Sequence, residues 1–234
     1  MEPNTTYYWQ IIARDDQGGE TAGPVWSFTT AGVEEPAGDT IYLSPTAKIT
    51  SDSVAYDDED ILTYDDVSGT WSPYFDGSDV GLKTADVNGF HLLDDGTILL
   101  TLDKPMKKLP GLETVNVDDS DIIRFWPTSL GETTAGTFEL YFDGSDVDLS
   151  TGAEDLDAIS LADNGDLLLS TTSNGKVDNL SFRDEDILRF APSSLGDATD
   201  GAWELYFDSD IDSKLSDVVG VSADAESGDI HCRG

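Results

Sequence analysis

Three stretches of this chain are near copies of one another: WSPYFDGSDVGLK from Trp71, FELYFDGSDVDLS from Phe138 and WELYFDSDIDSKL from Trp203. Each is an aromatic, alternating run that turns abruptly into a loop crowded with carboxylates. Further copies lie around them. DDGTILLTL at Asp94 corresponds to DNGDLLLST at Asp163, to GDTIYLSP at Gly38 and to the final SGDIHC. DDEDILTY at Asp57 matches DDSDIIRF at Asp118 and RDEDILRF at Arg183, while ADVNGFHLL from Ala85 matches EDLDAISLA from Glu154 and SDVVGVSAD from Ser216. Across these landmarks the spacing is 57–69 residues. A period of that size means a supersecondary unit that buries its apolar surface against its neighbours.

Each unit reads as four short β-rich runs separated by Gly, Asp, Ser and Pro turns, with no 3.6-residue periodicity. Four strands per repeated unit is the signature of propeller blades. The pairing of an Asp-x-x-Gly-hydrophobic run with a following Asp-Gly-x-hydrophobic-hydrophobic run resembles the blades of calcium-dependent six-bladed propellers, over residues 39–231. A β-sandwich or β-solenoid is the alternative. The expected fold is therefore all-β and propeller-like, with three four-stranded blades per chain. The first unit begins at TIYLS without an innermost strand, and the last supplies only an innermost strand, DVVGVSADA. That phase predicts a homodimer in which each chain lends its last strand to the other, closing a six-bladed ring; the alternative is that the missing blades lie in a longer parent protein and the edges are left open.

Residues 1–31 form a separate segment, followed by a linker at 32–38 and the repeats at 39–234. Two alternating runs, Tyr7 to Arg14 and Val25 to Thr30, are joined by a Gly-rich turn at Gly18 and Gly19. The run through Pro3, Thr5, Tyr7 and Trp9, the pair Ala13 and Asp15, and the closing Trp26 to Thr30 resemble the last two strands of a bacterial fibronectin type III domain. A lone hairpin is marginal in water, and GDIHCRG stops partway through a repeat, so the expectation is a piece of a longer multidomain protein.

The chain has 234 residues with 48 acidic and 12 basic ones, a formal net charge of −36. Its field repels polyanions, which argues against nucleic acid and anionic membranes and in favour of cations. Patterned apolar residues and 9% aromatics argue against disorder. No apolar run approaches the roughly 18 residues of a membrane span, and Met1 opens no signal peptide. The single cysteine, Cys232, excludes an internal disulfide. The expected location is extracellular or cell-surface, with a small-molecule or carbohydrate ligand as a further partner.

Three carboxylate groups recur. The first comprises Asp57, Asp58 and Asp60, then Asp118, Asp119 and Asp121, then Asp184, Glu185 and Asp186. The second comprises Asp76 and Asp79, then Asp143, Asp146 and Asp148, then Asp208, Asp210 and Asp212. The third is one residue per unit, Asp86, Asp155 and Asp217, with Asn88 and Asp157 two positions further on the same strand face. Clustered carboxylates repel unless a cation screens them, and hard oxygen ligands select Ca²⁺. The first two groups read as peripheral calcium loops or as solvated turn residues. In the propeller hydrolases that the repeat resembles, a channel calcium held by Asp and Asn polarises an ester or phosphotriester. The resemblance thus implies Asp86, Asp155, Asp217, Asn88 and Asp157 as channel ligands, and a calcium-dependent hydrolase as the alternative to a calcium-binding, structural module. The other reading of these aspartates is hydrogen bonding to the next unit's backbone. His91 has no repeated equivalent, His231 sits beside Cys232, and no Gly-x-Ser-x-Gly, P-loop or His-Glu-x-x-His motif is present.

Overall fold

The computed structural model describes residues 5–30, 40–51, 53–150, 154–209, 218, 220–223 and 230–233. It divides into two compact units, Met1–Asp39 and Thr40–Gly234. In the first, β1 (Thr6–Arg14) pairs antiparallel with β2 (Glu20–Thr29). Asp15 shapes the turn by accepting from the amides of Gln17 and Gly19. Cross-strand stacking of Trp9 on Trp26, with centroids 4.5 Å apart, and of Tyr7 on Phe28 holds one face.

The second unit is all-β and propeller-like. Its first sheet contains β3 (Thr40–Leu43), β6 (Ile61–Asp65) and β7 (Thr70–Phe75) in the order β3-β6-β7. The second is a four-stranded meander of β8 (Val87–Leu92), β9 (Ile98–Leu102), β12 (Ile122–Ser129) and β13 (Ala135–Phe142). The third repeats it with β14 (Leu156–Leu161), β15 (Leu167–Thr171), β18 (Ile187–Ser194) and β19 (Asp200–Phe207). All pairings in these sheets are antiparallel. We call the three sheets blades 1 to 3. Among the described residues, blade 1 has no fourth strand beside β3.

Two features depart from the sequence expectation. The second and third repeats contain six strands and the first five, because a small hairpin is inserted in each blade, between the second and third strands of blades 2 and 3 and between β3 and β6 of blade 1. These hairpins are β4 (Ile49–Ser51) with β5 (Val54–Tyr56), β10 (Met106–Leu109) with β11 (Leu112–Val117), and β16 (Gly175–Val177) with β17 (Leu180–Phe182). They are three to six residues per strand and too polar on one side to read as blade strands. The final repeat supplies two strands rather than one: β20 (Gly220–Ala223) pairs with β21 (Ile230–Arg233).

The second strands β9 and β15, ILLTL and LLLST, are buried throughout and mostly apolar, because both of their faces are covered and alternation has no purpose there. Between blades 1 and 2, Phe75 stands edge-on to Phe125 at 5.1 Å, with Ile61, Ile98 and Phe138 around it. Between blades 2 and 3, Phe142 meets Phe190 at 5.2 Å in the same attitude, with Ile122, Leu99 and Leu167. Each fully buried Phe contributes about 2–3 kcal/mol. Phe125 and Phe190 lie over Gly136 and Gly201 of the fourth strands. A Cβ there would stand 2.6 Å and 2.5 Å from the ring edge, so only glycine admits the aromatic. A third, smaller cluster joins Leu168 and Ile187 to Val218, with Phe207 and Val221 packed on it.

Candidate functional site: the carboxylates at the blade seams

The three acidic groups occupy distinct positions. Asp60, Asp121 and Asp186 precede the third strand of each blade and are buried. One carboxylate oxygen of each accepts from a backbone amide at the start of its own loop, Asp57, Asp118 or Arg183. The other accepts from the loop after the fourth strand, at Gly77, Gly144 or Ser209, at 2.9–3.2 Å. These aspartates tie the two ends of a blade's outer hairpin together. Both oxygens of each carboxylate thus accept from backbone amides. Burial still raises Asp121, to about 6.

The second group forms a latch between successive blades. Asp76 accepts from the amide and hydroxyl of Ser78, and Asp143 does the same for Ser145, which turns each loop into a short 3₁₀ segment. Asp79 then accepts from the amide of Thr134 in the next blade, and Asp146 from Thr199, each at 3.0 Å. The hydroxyls of Thr134 and Thr199 return the contact by accepting from the amides of Asp76 and Asp143, both at 2.9 Å. The Gly131 and Gly196 amides donate to Tyr74 and Tyr141 carbonyls across the same seam. The partner turn, Leu-Gly-x-x-Thr at Leu130–Thr134 and Leu195–Thr199, is repeated in the sequence and could have been recognised there. Its recurrent members, Leu, Gly and Thr, carry no charge and give no sign of chemistry in the sequence. Asp148 caps the Asp178 amide. Asp208 follows β19 in the equivalent place, while Asp210 and Asp212 lie outside the described residues.

The third group sits where one blade hands the chain to the next. The amides of Val87 and Leu156, which begin β8 and β14, and of Val218, two residues before β20, donate to the main-chain carbonyls of Asp58, Asp119 and Asp184. The carbonyls of the same three residues accept from Ser44, Asn88 and Ser170 side chains at 2.7–3.0 Å. Asn88 thus uses its amide nitrogen to pin the next inner strand. Asp157, its counterpart on β14, is 5% exposed. Asp86 and Asp155 stand beside these junctions, and Asp217 lies outside the described residues.

At the junction of blades 2 and 3, three carboxyl groups interact. Asp155 is hydrogen-bonded to Asp119, and Asp119 to Asp118. Burial, that hydrogen bond and the charge of Asp155 push Asp119 up to about 7. Asp155 is raised too, by burial first, and its Oδ1 is buried without a hydrogen-bond partner. At the junction of blades 1 and 2, Asp86 is raised by burial and by the charges of Asp103 and Asp58, with Lys104 opposing. Neighbouring Glu59 is raised to about 7, mainly by burial. Among the described residues, no three His, Cys, Asp or Glu side chains converge as a ready-made metal site. The donor chemistry, hard oxygens and one orphaned carboxylate atom, nevertheless suits a proton or a hard cation.

Other candidates are weaker. His91 is held below its usual range by burial. A cavity of about 450 Å³ beside blade 3 is lined by Asn174, Phe182, Arg183, Asp186 and Leu205 among others, and Asp186 there already binds two amides. Among the described residues, no helix is long and apolar enough to cross a membrane.

No family model and no curated protein matches the chain. Among solved structures, it is similar to the extracellular domain of the B. thetaiotaomicron protein BT4673, with a TM-score of 0.37 and 13% identity. That match covers 95% of this chain and 36% of the other, so the chain spans about a third of that structure's length. It is also similar to a catalytically inactive virginiamycin B lyase from Staphylococcus aureus, with a TM-score of 0.34 and 11% identity, covering 98% of this chain and 74% of that one. The fold assignment above rests on the strand pairing of this chain.

Proposed function

We propose that the chain is a propeller-type binding and structural module of a secreted or surface-attached protein, stabilised by Ca²⁺ at its blade seams. The observation that carries the reading is the Asp119–Asp155 junction: three carboxylates in contact, one of them holding a proton to about pH 7, and one oxygen buried without a donor. A divalent cation replaces that proton and meets the orphaned oxygen, which removes the mutual repulsion. Asp119 and Asp155 would hold the ion, with Asp58 and Asp86 as the equivalent pair one blade earlier. Water and main-chain carbonyls complete the shell, as Ca²⁺ tolerates irregular oxygen coordination. Two carboxylates per site place the affinity on the order of 10⁻⁴–10⁻³ M, the range of extracellular modules. The segment resembling fibronectin type III strands supports an extracellular setting, since such modules space domains apart.

Thermal melting with and without chelator tests this. At ~10 mM Ca²⁺ and a Kd of ~1 mM, one site adds about 1.4 kcal/mol, a few degrees in Tm. Asp155→Asn and Asp119→Asn are expected to abolish that gain, whereas Asp200→Asn on an exposed strand is not. A Tm that ignores Ca²⁺ in the parent chain overturns the reading. Turnover of an ester or phosphotriester that disappears with chelator would replace it with the hydrolase alternative.

A further inference from the structure

Blades 2 and 3 each carry a ladder of three apolar residues in register across their second, third and fourth strands: Ile98, Phe125 and Phe138, then Leu167, Phe190 and Trp203. The preceding blade covers both ladders, and its Phe75 or Phe142 meets the central ring edge-on. Blade 1 has the same ladder in Ile41, Tyr64 and Trp71, with the Tyr64 and Trp71 rings 4.7 Å apart. Among the described residues no blade covers it: Tyr64 and Trp71 are half-buried and Ile41 is 51% exposed, with Ile49 and Val54 of the adjoining hairpin exposed as well. Among the described residues, blade 1 is also short of a strand on one edge. β9 is paired on both sides and so is β15, whereas among the described residues β3 pairs only with β6. At the other end, blade 3 offers the counterparts that cover such a ladder: Leu168, Ile187 and Phe207, aligned with Leu99, Ile122 and Phe142.

We propose that the ladder and free β3 edge of blade 1 dock onto blade 3 of a second copy of this chain. β20 of that copy takes the vacant place beside β3, as β8 does beside β9. Phe207 of that copy stands against Tyr64 and Trp71. The interface repeats one that the chain already forms twice within itself, which is why a second copy fits better than an unrelated partner. β21 holds β20 in the isolated chain, so joining requires a four-residue strand to yield to a three-stranded sheet that brings its own apolar face. The join differs from the internal seams in one respect. The β6–β7 turn of blade 1, Asp65–Thr70, has no Leu-Gly-x-x-Thr and closes on Asp65 instead, whose carboxylate accepts from Val67 and Ser68 amides. The copies are therefore held without the latch, and separate more readily than blades within a chain. Two chains of −36 also repel, so association strengthens with salt. This inference does not depend on the cation sites.

Sedimentation equilibrium of the full chain at tens of micromolar in about 0.5 M NaCl tests the idea. The expected mass is about 50 kDa, twice 25.2 kDa, falling towards the monomer at low salt. Ile41→Glu, at a half-exposed site, and Phe207→Glu each yield a 25 kDa species. Mixing the two variants restores a dimer, because one junction in the mixed pair is intact; that rescue also shows that both variants fold. A 25 kDa species for the parent chain at high salt overturns the proposal. So does a dimer that survives Ile41→Glu, or one that is lost with Tyr8→Glu on β1, which would place the interface on the N-terminal hairpin.

Discussion

A carboxylate in this chain takes its role from what its two oxygens meet. Asp121 is buried and accepts from two backbone amides in two loops, and Asp60 and Asp186 repeat the arrangement. Removing it leaves both amides without a partner, one of them at buried Gly144. Asp121→Ala is expected to cost about 2 kcal/mol, read as a Tm lower by roughly 5 °C. Asp186→Ala should cost as much and Asp118→Ala, whose side chain is exposed, under about 0.5 kcal/mol. Equal losses at Asp118 and Asp121 would remove the distinction between tie and turn residue. At this scale neither role is legible from the string DDSD. The three aspartates have the same chemistry, and only the loop brought back by the fourth strand decides which one is enclosed.

Among elements, the seam is stitched by polar contacts around an aromatic centre. Thr134 accepts from Asp76, donates to the Gly131 carbonyl and presents its amide to Asp79. Thr134→Val keeps the shape and leaves the Asp76 amide unbonded, at an expected cost of about 1–2 kcal/mol. Hydrogen exchange of the Asp76 amide should quicken while amides in the centre of β9 keep their protection. Uniform loss of protection over β9 would show that the latch holds the blade rather than the seam. The same change at Thr199 should act only on the junction of blades 2 and 3, since contacts this far apart add independently. The blades themselves were readable, because a repeated apolar run needs covering on both faces. The inserted hairpins were not. Strands such as Gly175–Val177 are three residues long, too short to show a period, and they hold their shape by pairing with each other and packing over the outer strands.

For the whole molecule, acidity makes stability depend on protons and cations together. Glu59 and Asp119 are raised to about 7 and Asp121 to about 6, with burial the first cause in each. A carboxyl group whose folded value exceeds its unfolded one binds its proton more tightly in the folded state. Its contribution is favourable at low pH and is lost as pH rises through the folded value. With chelator present, Tm should therefore fall from about pH 4.5 upward, most steeply from about 5 to 6.5, and level off above about 7.5, where the groups are ionised in both states. Asp119→Asn should flatten the slope. Added Ca²⁺ should restore Tm at pH 8 and have little effect at pH 5, where protons occupy the seam. A Tm that rises with pH under chelator would contradict this account of the buried carboxyl groups.

Sequence alone determined the period, the all-β class and the strands of blades 2 and 3. These follow from local facts, the alternation and apolar runs of each unit and the Gly and Asp turns between them, and each is stated again one repeat later. Tertiary structure alone decided which of the recurrent aspartates are ties, which are latches and which remain free to meet a proton or cation. Asp60, Asp79 and Asp86 are separated by under thirty residues and are chemically identical. Their difference arises when blades pack: a buried amide claims the first, a threonine of the next blade claims the second, and the third is left beside other charges at the seam. Burial and the supply of donors are properties of the assembled seam, and no single repeat contains them.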